Sequence, residues 1–250
     1  MKSRLSRGLA VAGLVLASMG VHAATEWNWV LNGTPTGTDL PLPATVMGYS
    51  AQGNSTNLIE TSGAGLPDMT WYSGGYGICS PTPGDPTCSS PNHAMDNSAP
   101  VGSTPAYESI LLSFGQSVTL TSMSIGWYST DSDMSVLAYT GNGTPNLTDS
   151  TYGNLLTSGW SLVGQYANVG SNTQLNTSMS SSYWLIAAYN AVYENKGWTQ
   201  NNDYVKLYSV AGNTNNPPPP GRVSEPAAFL LMGTALFGIA GLRRRRQSAN

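Results

Sequence analysis

The sequence predicts an all-β protein: an antiparallel β-sandwich, of which a jelly roll is one form, carrying long loops. Three observations predict it. Charged residues make up 9 % of the 250, against roughly 25 % in average soluble proteins, and exposed helix faces normally draw on Lys, Glu and Arg. The chain holds 28 glycines and 16 prolines, residues that punctuate turns and loops. Its apolar residues fall in strand-sized segments, and no window of about twelve residues in the body carries a helical stripe.

The segments follow in order. Trp27, Trp29 and Leu31 alternate with polar positions, the period of a half-buried strand. Ser109 to Phe114 is a short apolar run. Val118 and Leu120 alternate with Ser117, Thr119 and Thr121, and the phase then shifts to Met123, Ile125 and Trp127. A bulge near Thr121-Ser122 accounts for the shift. Met134 to Tyr139, Trp160 to Tyr166, Tyr183 to Tyr189 and Tyr204 to Val210 complete the set. Trp127, Trp160 and Trp184 are expected in the core. Residues 40–105 are less regular, with Gly63-Ala64-Gly65, Ser73-Gly74-Gly75 and a proline-rich stretch from Cys79 to Pro91. They read as long loops at one end of the sandwich.

The ends differ from the body. Between residues 24 and 221 stand two lysines, Lys196 and Lys206, and twelve of the thirteen acids, a formal charge of −10. Such a body has no positive footprint for nucleic acid. At the start, Lys2, Arg4 and Arg7 precede the apolar run Gly8 to Ala17, and Val21-His22-Ala23 supplies small residues at −3 and −1. This is the pattern of a secretory signal peptide, residues 1–23, cleaved between Ala23 and Ala24. The apolar run is too short to span a membrane comfortably as a permanent anchor.

The body, residues 24–212, ends in a proline-rich linker, residues 213–222. Its four consecutive prolines favour an extended polyproline helix. Residues 223–250 then carry Val223-Ser224-Glu225-Pro226, an uncharged stretch from Ala227 to Leu242, and Arg243, Arg244, Arg245 and Arg246. As a single hydrophobic helix the uncharged stretch reaches about 24 Å, and arginine stems would snorkel to complete a span. The arginines stay cytoplasmic by the positive-inside rule, which leaves the body outside the inner membrane.

This tail resembles the PEP-CTERM sorting signal, the substrate tag of exosortases in Gram-negative bacteria. Glu225, Pro226 and Arg243 to Arg246 match it, while Ser224 stands where the first proline of the motif is usual. Leu111 to Gly141, Gly159 to Tyr166 and Ser181 to Asn190 also resemble segments of exosortase-dependent surface proteins. The resemblance implies export through the Sec machinery and a transient stay in the inner membrane. An exosortase then cuts near the motif and passes the protein to the cell surface or extracellular matrix, in association with exopolysaccharide. It implies no enzymatic activity. Two alternatives accompany this expectation: a carbohydrate-binding module acting on the matrix polymer, and a permanently tail-anchored periplasmic protein.

Candidate chemistry is sparse. The body has one histidine, His93, in a proline-rich loop beside Asn92 and Asp96, too little for a triad or a His-based metal site. Its bland reading is a solvated loop residue. Glu26, Glu60, Glu108 and Glu194 offer carboxylates for glycoside chemistry, but no spacing singles out a pair. No cofactor is expected, with structural calcium as the exception weighed. Asp131 and Asp133, in Thr-Asp-Ser-Asp, are its candidate ligands, since alternating loop acids supply the oxygens a hard cation wants. Asp96, Asn97 and Glu108 form a second candidate oxygen cluster.

Cys79 and Cys88 are the only cysteines, and an even count in an exported chain points to a disulfide. Closing so short a loop contributes about 2.5–3 kcal/mol in the chain-entropy model. The seven Trp and thirteen Tyr all lie in the body beside a single phenylalanine, Phe114. Trp71, Tyr72 and Tyr76, between glycines, are the candidates for stacking on sugar rings.

Overall fold

The computed structural model of the protein describes residues 26–34, 36–37, 44–60, 68–79, 90–98 and 106–214. The signal peptide with Ala23 and Ala24, the linker, the whole sorting motif and tail, and Cys88 lie outside the described residues. Among the described residues, no helix is long and apolar enough to cross a membrane.

The fold is all-β, and its strand pairings are antiparallel. The strands are β1 (Glu26–Val30), β2 (Thr36–Gly37), β3 (Ala44–Gln52), β4 (Ile59–Glu60), β5 (Asp68–Tyr72), β6 (Gly75–Cys79), β7 (Met95–Asp96), β8 (Ala106–Thr130), β9 (Met134–Tyr139), β10 (Trp160–Tyr166), β11 (Thr173–Gln174), β12 (Ser181–Ala188) and β13 (Asp203–Thr214). A 3-10 helix, Tyr152–Thr157, lies between β9 and β10.

β8 organises the rest. Its first half pairs with β3 on one side and β12 on the other, and β12 continues to β9 and β10. Its second half pairs with β13, which continues to β1 and β2, while β11 flanks it on the other side. Inward residues from both sets meet in one core. Ile110, Leu112 and Phe114 come from the first half, and Val118, Leu120, Met123 and Ile125 from the second. Trp27, Trp29, Val136, Trp184, Ile186, Val205 and Leu207 fill the space between them.

The apolar runs without alternation now have a cause. Leu111, Leu137 and Leu185 point away from that core into a second cluster. Tyr49, Leu58, Leu147, Tyr152, Leu155 and Trp160 cover them there. The Tyr152 hydroxyl meets Ser109 Oγ at 2.9 Å and donates to the Tyr49 carbonyl at 3.3 Å. The middle strands are therefore buried on both faces, which requires continuous apolar sequence.

The expected bulge is present. Ala211 faces Ser122 and Gly212 faces Leu120, which leaves Thr121 as the extra residue. Two expectations are corrected. The runs at 109–114 and 118–127 are one strand of 25 residues, because Gly115 to Ser117 continue the extended backbone. Residues 40–105 hold strands as well as loops: β3 pairs along its whole length with β8, and β5 and β6 form a hairpin. Gly74 and Gly75 turn that hairpin against β8 and β13. Gly75 has φ +119° and a Cβ there would run into the Leu207 carbonyl, so the position requires glycine twice over.

Candidate functional site

Several loops and strand ends converge where β8 gives way to β9, and they bring buried acids together. Asp131, Ser132 and Asp133 form the β8–β9 connection, and Asp203 opens β13. One carboxylate oxygen from each of Asp131, Asp133 and Asp203 lies within 4.8 Å of the others. Asp203 is 0 % exposed and Asp133 4 %. The backbone around them is left-handed at Thr130 (φ 65°), Asn168 (φ 51°) and Asn201 (φ 66°). For the β-branched Thr130 that conformation is a genuine strain, placed immediately before Asp131.

Hydrogen bonds hold each carboxylate in place. The Asp133 N–H donates to Asp203 Oδ1 at 2.8 Å, and the Asn168 N–H donates to Asp133 Oδ1 at 2.7 Å. The Ser132 N–H donates to Asp131 Oδ1 at 2.8 Å, and Asn202 Nδ2 to Asp131 Oδ2 at 3.3 Å. Asn97 is the bridge to β7. Its Nδ2 donates to Asp203 Oδ2 at 2.6 Å and to the Tyr189 carbonyl at 2.8 Å. Its Oδ1 accepts from the Asp203 N–H at 3.0 Å. Beside it, the Asp96 N–H donates to Glu108 Oε2 at 3.0 Å. The two oxygen clusters foreseen separately, Asp131/Asp133 and Asp96/Asn97/Glu108, thus meet through Asn97 and Asp203.

No cation faces these acids among the described residues. Lys196 pairs with Glu194 at 2.6 Å, and Lys206 lies between two aromatic rings. Burial, helped by the neighbouring Asp133 and Asp131 carboxylates, pushes the Asp203 carboxyl up to about 7 against the lowering effect of its hydrogen bonds. Burial also raises Asp133 and Asp96. Three carboxylates so close either share protons or hold a metal ion. The donor set is oxygen only, which suits calcium or magnesium and not zinc. Asn202 Oδ1 adds a buried oxygen with no hydrogen-bond partner.

A pH dependence follows for metal-free protein. The Asp203 carboxyl ionises near 4 when unfolded and at about 7 when folded. Between those values the folded state holds a proton that the unfolded state has lost, so stability falls as pH rises through the window. In chelator, the melting temperature is expected to drop by about 5–10 °C from pH 5 to pH 8, for a change of a few kcal/mol. Asp203→Asn lessens the drop by its own share, since Asp96, also raised to about 7 by burial, titrates in the same window. A melting temperature that climbs over this range shows that these carboxylates fold ionised.

The aromatic candidates are placed differently from expectation. Trp71, Tyr72 and Tyr76 lie on the β5–β6 hairpin rather than in a loop. Trp71 packs edge-on against Tyr76 at 5.2 Å and tilted against Tyr208 at 5.6 Å. Tyr72, on the other face of β5, stacks near His93 at 4.7 Å. Lys206 Nζ lies 4.3 Å from the Tyr72 ring centre and 4.5 Å from that of Trp127, a geometry that stabilises a cation. Burial lowers the lysine's pKa. Trp71, Tyr72 and Tyr76 are each half-buried and packed against a neighbouring side chain.

Two further expectations are corrected here. His93 is half-buried between Tyr72 and Trp127, not a solvated loop residue. Trp127 lies outside the core and over Lys206, because Gly126 is an extra residue opposite Lys206-Leu207 and turns the following side chain outward. Trp160 and Trp184 are buried as expected. Cys79 ends β6 and is not a free thiol, while Cys88, its expected partner, is outside the described residues. Asp203 escaped the sequence reading, since Asn201-Asn202-Asp203 looks like any polar turn. Compared with known proteins, the chain matches no family model, no curated protein and no solved structure.

Proposed function

We propose that the chain is an exported, exosortase-processed protein of the cell surface or extracellular matrix of a Gram-negative bacterium, structural or adhesive and associated with exopolysaccharide. Its body is read as a β-sandwich held at one end by structural calcium. The observation that carries the reading is the order of charge and hydropathy along the chain. A cationic apolar leader comes first, then a body of strongly negative formal charge and a polyproline linker. Glu225-Pro226, an uncharged stretch and Arg243 to Arg246 follow in that order. Sec and exosortase are the partners this order calls for, with the inner membrane as a transient stop.

The sandwich reading draws support from the two pairing sets of β8, whose inward residues share one core. The calcium reading draws on Asp131, Asp133 and Asp203, where a divalent ion would neutralise carboxylates that no side-chain cation faces among the described residues. Its role there is structural: it ties the β8–β9 connection to the start of β13. Folding buries these acids, so an ion that binds only the folded state adds to stability.

The test is the intact mass of the protein from its native host and from a strain lacking the exosortase. The expected mature chain starts at Ala24 and ends near Glu225-Pro226, with the tail lost only where the enzyme is present. A chain that keeps Ala227 to Asn250 in both strains is a tail-anchored protein, and the surface reading fails.

A further inference from the structure

The outer face of the second pairing set carries a polar groove. Its volume is about 470 Å³. The register shows how it is built. Thr36 on β2 lies opposite Asn28 on β1, Asn28 opposite Ala211 on β13, Ala211 opposite Ser122 on β8, and Ser122 opposite Gln174 on β11. Residues directly opposite in antiparallel pairs point to one face, so this row runs unbroken across five strands. At about 4.8 Å between neighbours it spans about 19 Å. A second row sets Ser209 opposite Ser124, and Asn172 closes the end by donating its N–H to Ser124 Oγ at 2.8 Å.

The lining has a narrow chemistry. It contains amides and hydroxyls, one carboxylate and no lysine or arginine. The carboxylate, Glu26, accepts from Thr121 Oγ1 at 2.5 Å. Ala211 is its single aliphatic side chain, and the Trp27 ring turns inward to Phe114, leaving no aromatic face. Ser122 is 6 % exposed and Ser209 8 %. Among the described residues neither hydroxyl has a hydrogen-bond partner, nor has the side chain of Asn28. All three line the groove, where their donors and acceptors are open to a ligand.

Such a surface selects its ligand by exclusion and by match. An anionic polymer finds no cation and meets Glu26. An apolar peptide side chain finds no apolar pocket. A ligand dense in hydroxyl groups finds side chains that donate and accept at once, as amides and hydroxyls do. From this we infer that the groove binds a neutral, hydroxyl-rich glycan chain, with Asn28, Gln174, Ser122 and Ser209 as the contacts. The inference rests on the surface reading only for the polymer the protein meets in its host. Without stacking rings each site binds weakly, and retention on a polymer comes from many copies acting together.

The test uses the full protein purified from its host, in whichever processed form the mass shows, so binding is read whether or not the tail is removed. Affinity electrophoresis is run through gels containing dextran, mannan, galactan or the host's own extracellular polysaccharide, with alginate as the anionic control. Retention by at least one neutral polymer and not by alginate is expected. The double variant Asn28→Ala/Gln174→Ala, at exposed positions that leave the melting temperature in place, should bind about a hundredfold more weakly, about tenfold for each amide removed. Trp71→Ala should bind as the parent does. The inference is overturned by retention on alginate alone, by no retention on any polymer, or by a double variant that binds like the parent. It is overturned equally by loss of binding in Trp71→Ala, which would return recognition to the aromatic hairpin.

Discussion

Calcium at about 10 mM raises the melting temperature of the metal-free protein by about 5–10 °C at neutral pH. The figure follows from linkage. Extracellular modules hold calcium with Kd values of about 10⁻⁴–10⁻³ M, and a ligand at one hundred times a Kd of 10⁻⁴ M stabilises by about 2.7 kcal/mol. For a body of this size each kcal/mol moves the midpoint by about 2–4 °C. Asp131 is the residue to change, since it is less buried than Asp133 and Asp203. Asp131→Asn should leave the metal-free midpoint within a few degrees and remove most of the calcium response. Differential scanning calorimetry with calcium, magnesium and chelator measures it. If the parent protein melts at the same temperature in all three, the carboxylates hold protons rather than an ion.

Trp184→Ala should destabilise the protein by about 3–5 kcal/mol, the range for truncating a large buried aromatic. Trp184 is 0 % exposed, and it sits on β12 between Leu112 of β8 and Ala138 of β9. Its Nε1 donates to the Ser181 carbonyl at 3.0 Å, so truncation removes both packing and a buried hydrogen bond. Trp127→Ala is the contrast. That ring covers Lys206 at the surface side of β8, and its loss should cost only about 1 kcal/mol, the size of a partly exposed cation–π contact. Urea midpoints of the two variants measure the difference. Equal losses would mean that the two rings are buried alike.

Much of the strand pattern is legible in the residues themselves. Met134 to Tyr139 and Trp160 to Tyr166 are β9 and β10 to the residue, because apolar runs of that length, bounded by Gly, Asn and Asp, have few other uses. The phase shift at Thr121 is visible because the side-chain period of a strand is two, so one extra residue inverts every later position. β3 was harder to see. Its sequence, ATVMGYSAQ, mixes Gly, Ala and Ser with apolar residues, and its core is supplied by β8 and the 3-10 segment rather than by its own alternation. The β5–β6 hairpin hid for a related reason, since Ser73-Gly74-Gly75 reads equally as open loop.

The same division runs through the functional residues. Asp131 and Asp133 declare themselves by alternation within one loop, so local sequence points to them. Asp203 lies seventy residues further on, and only the antiparallel pairing of β13 with β8 brings it to them. The polar groove is a clearer case. Its residues come from β1, β2, β8, β11 and β13, none of them distinctive alone, and their common face exists only once the register is set. By itself the sequence determined the strand content and the charge contrast between body and ends, because these depend on composition and local period. Tertiary structure decided which acids share a cluster, which tryptophans are buried and which polar side chains face one groove, because those depend on contacts between segments far apart in the chain.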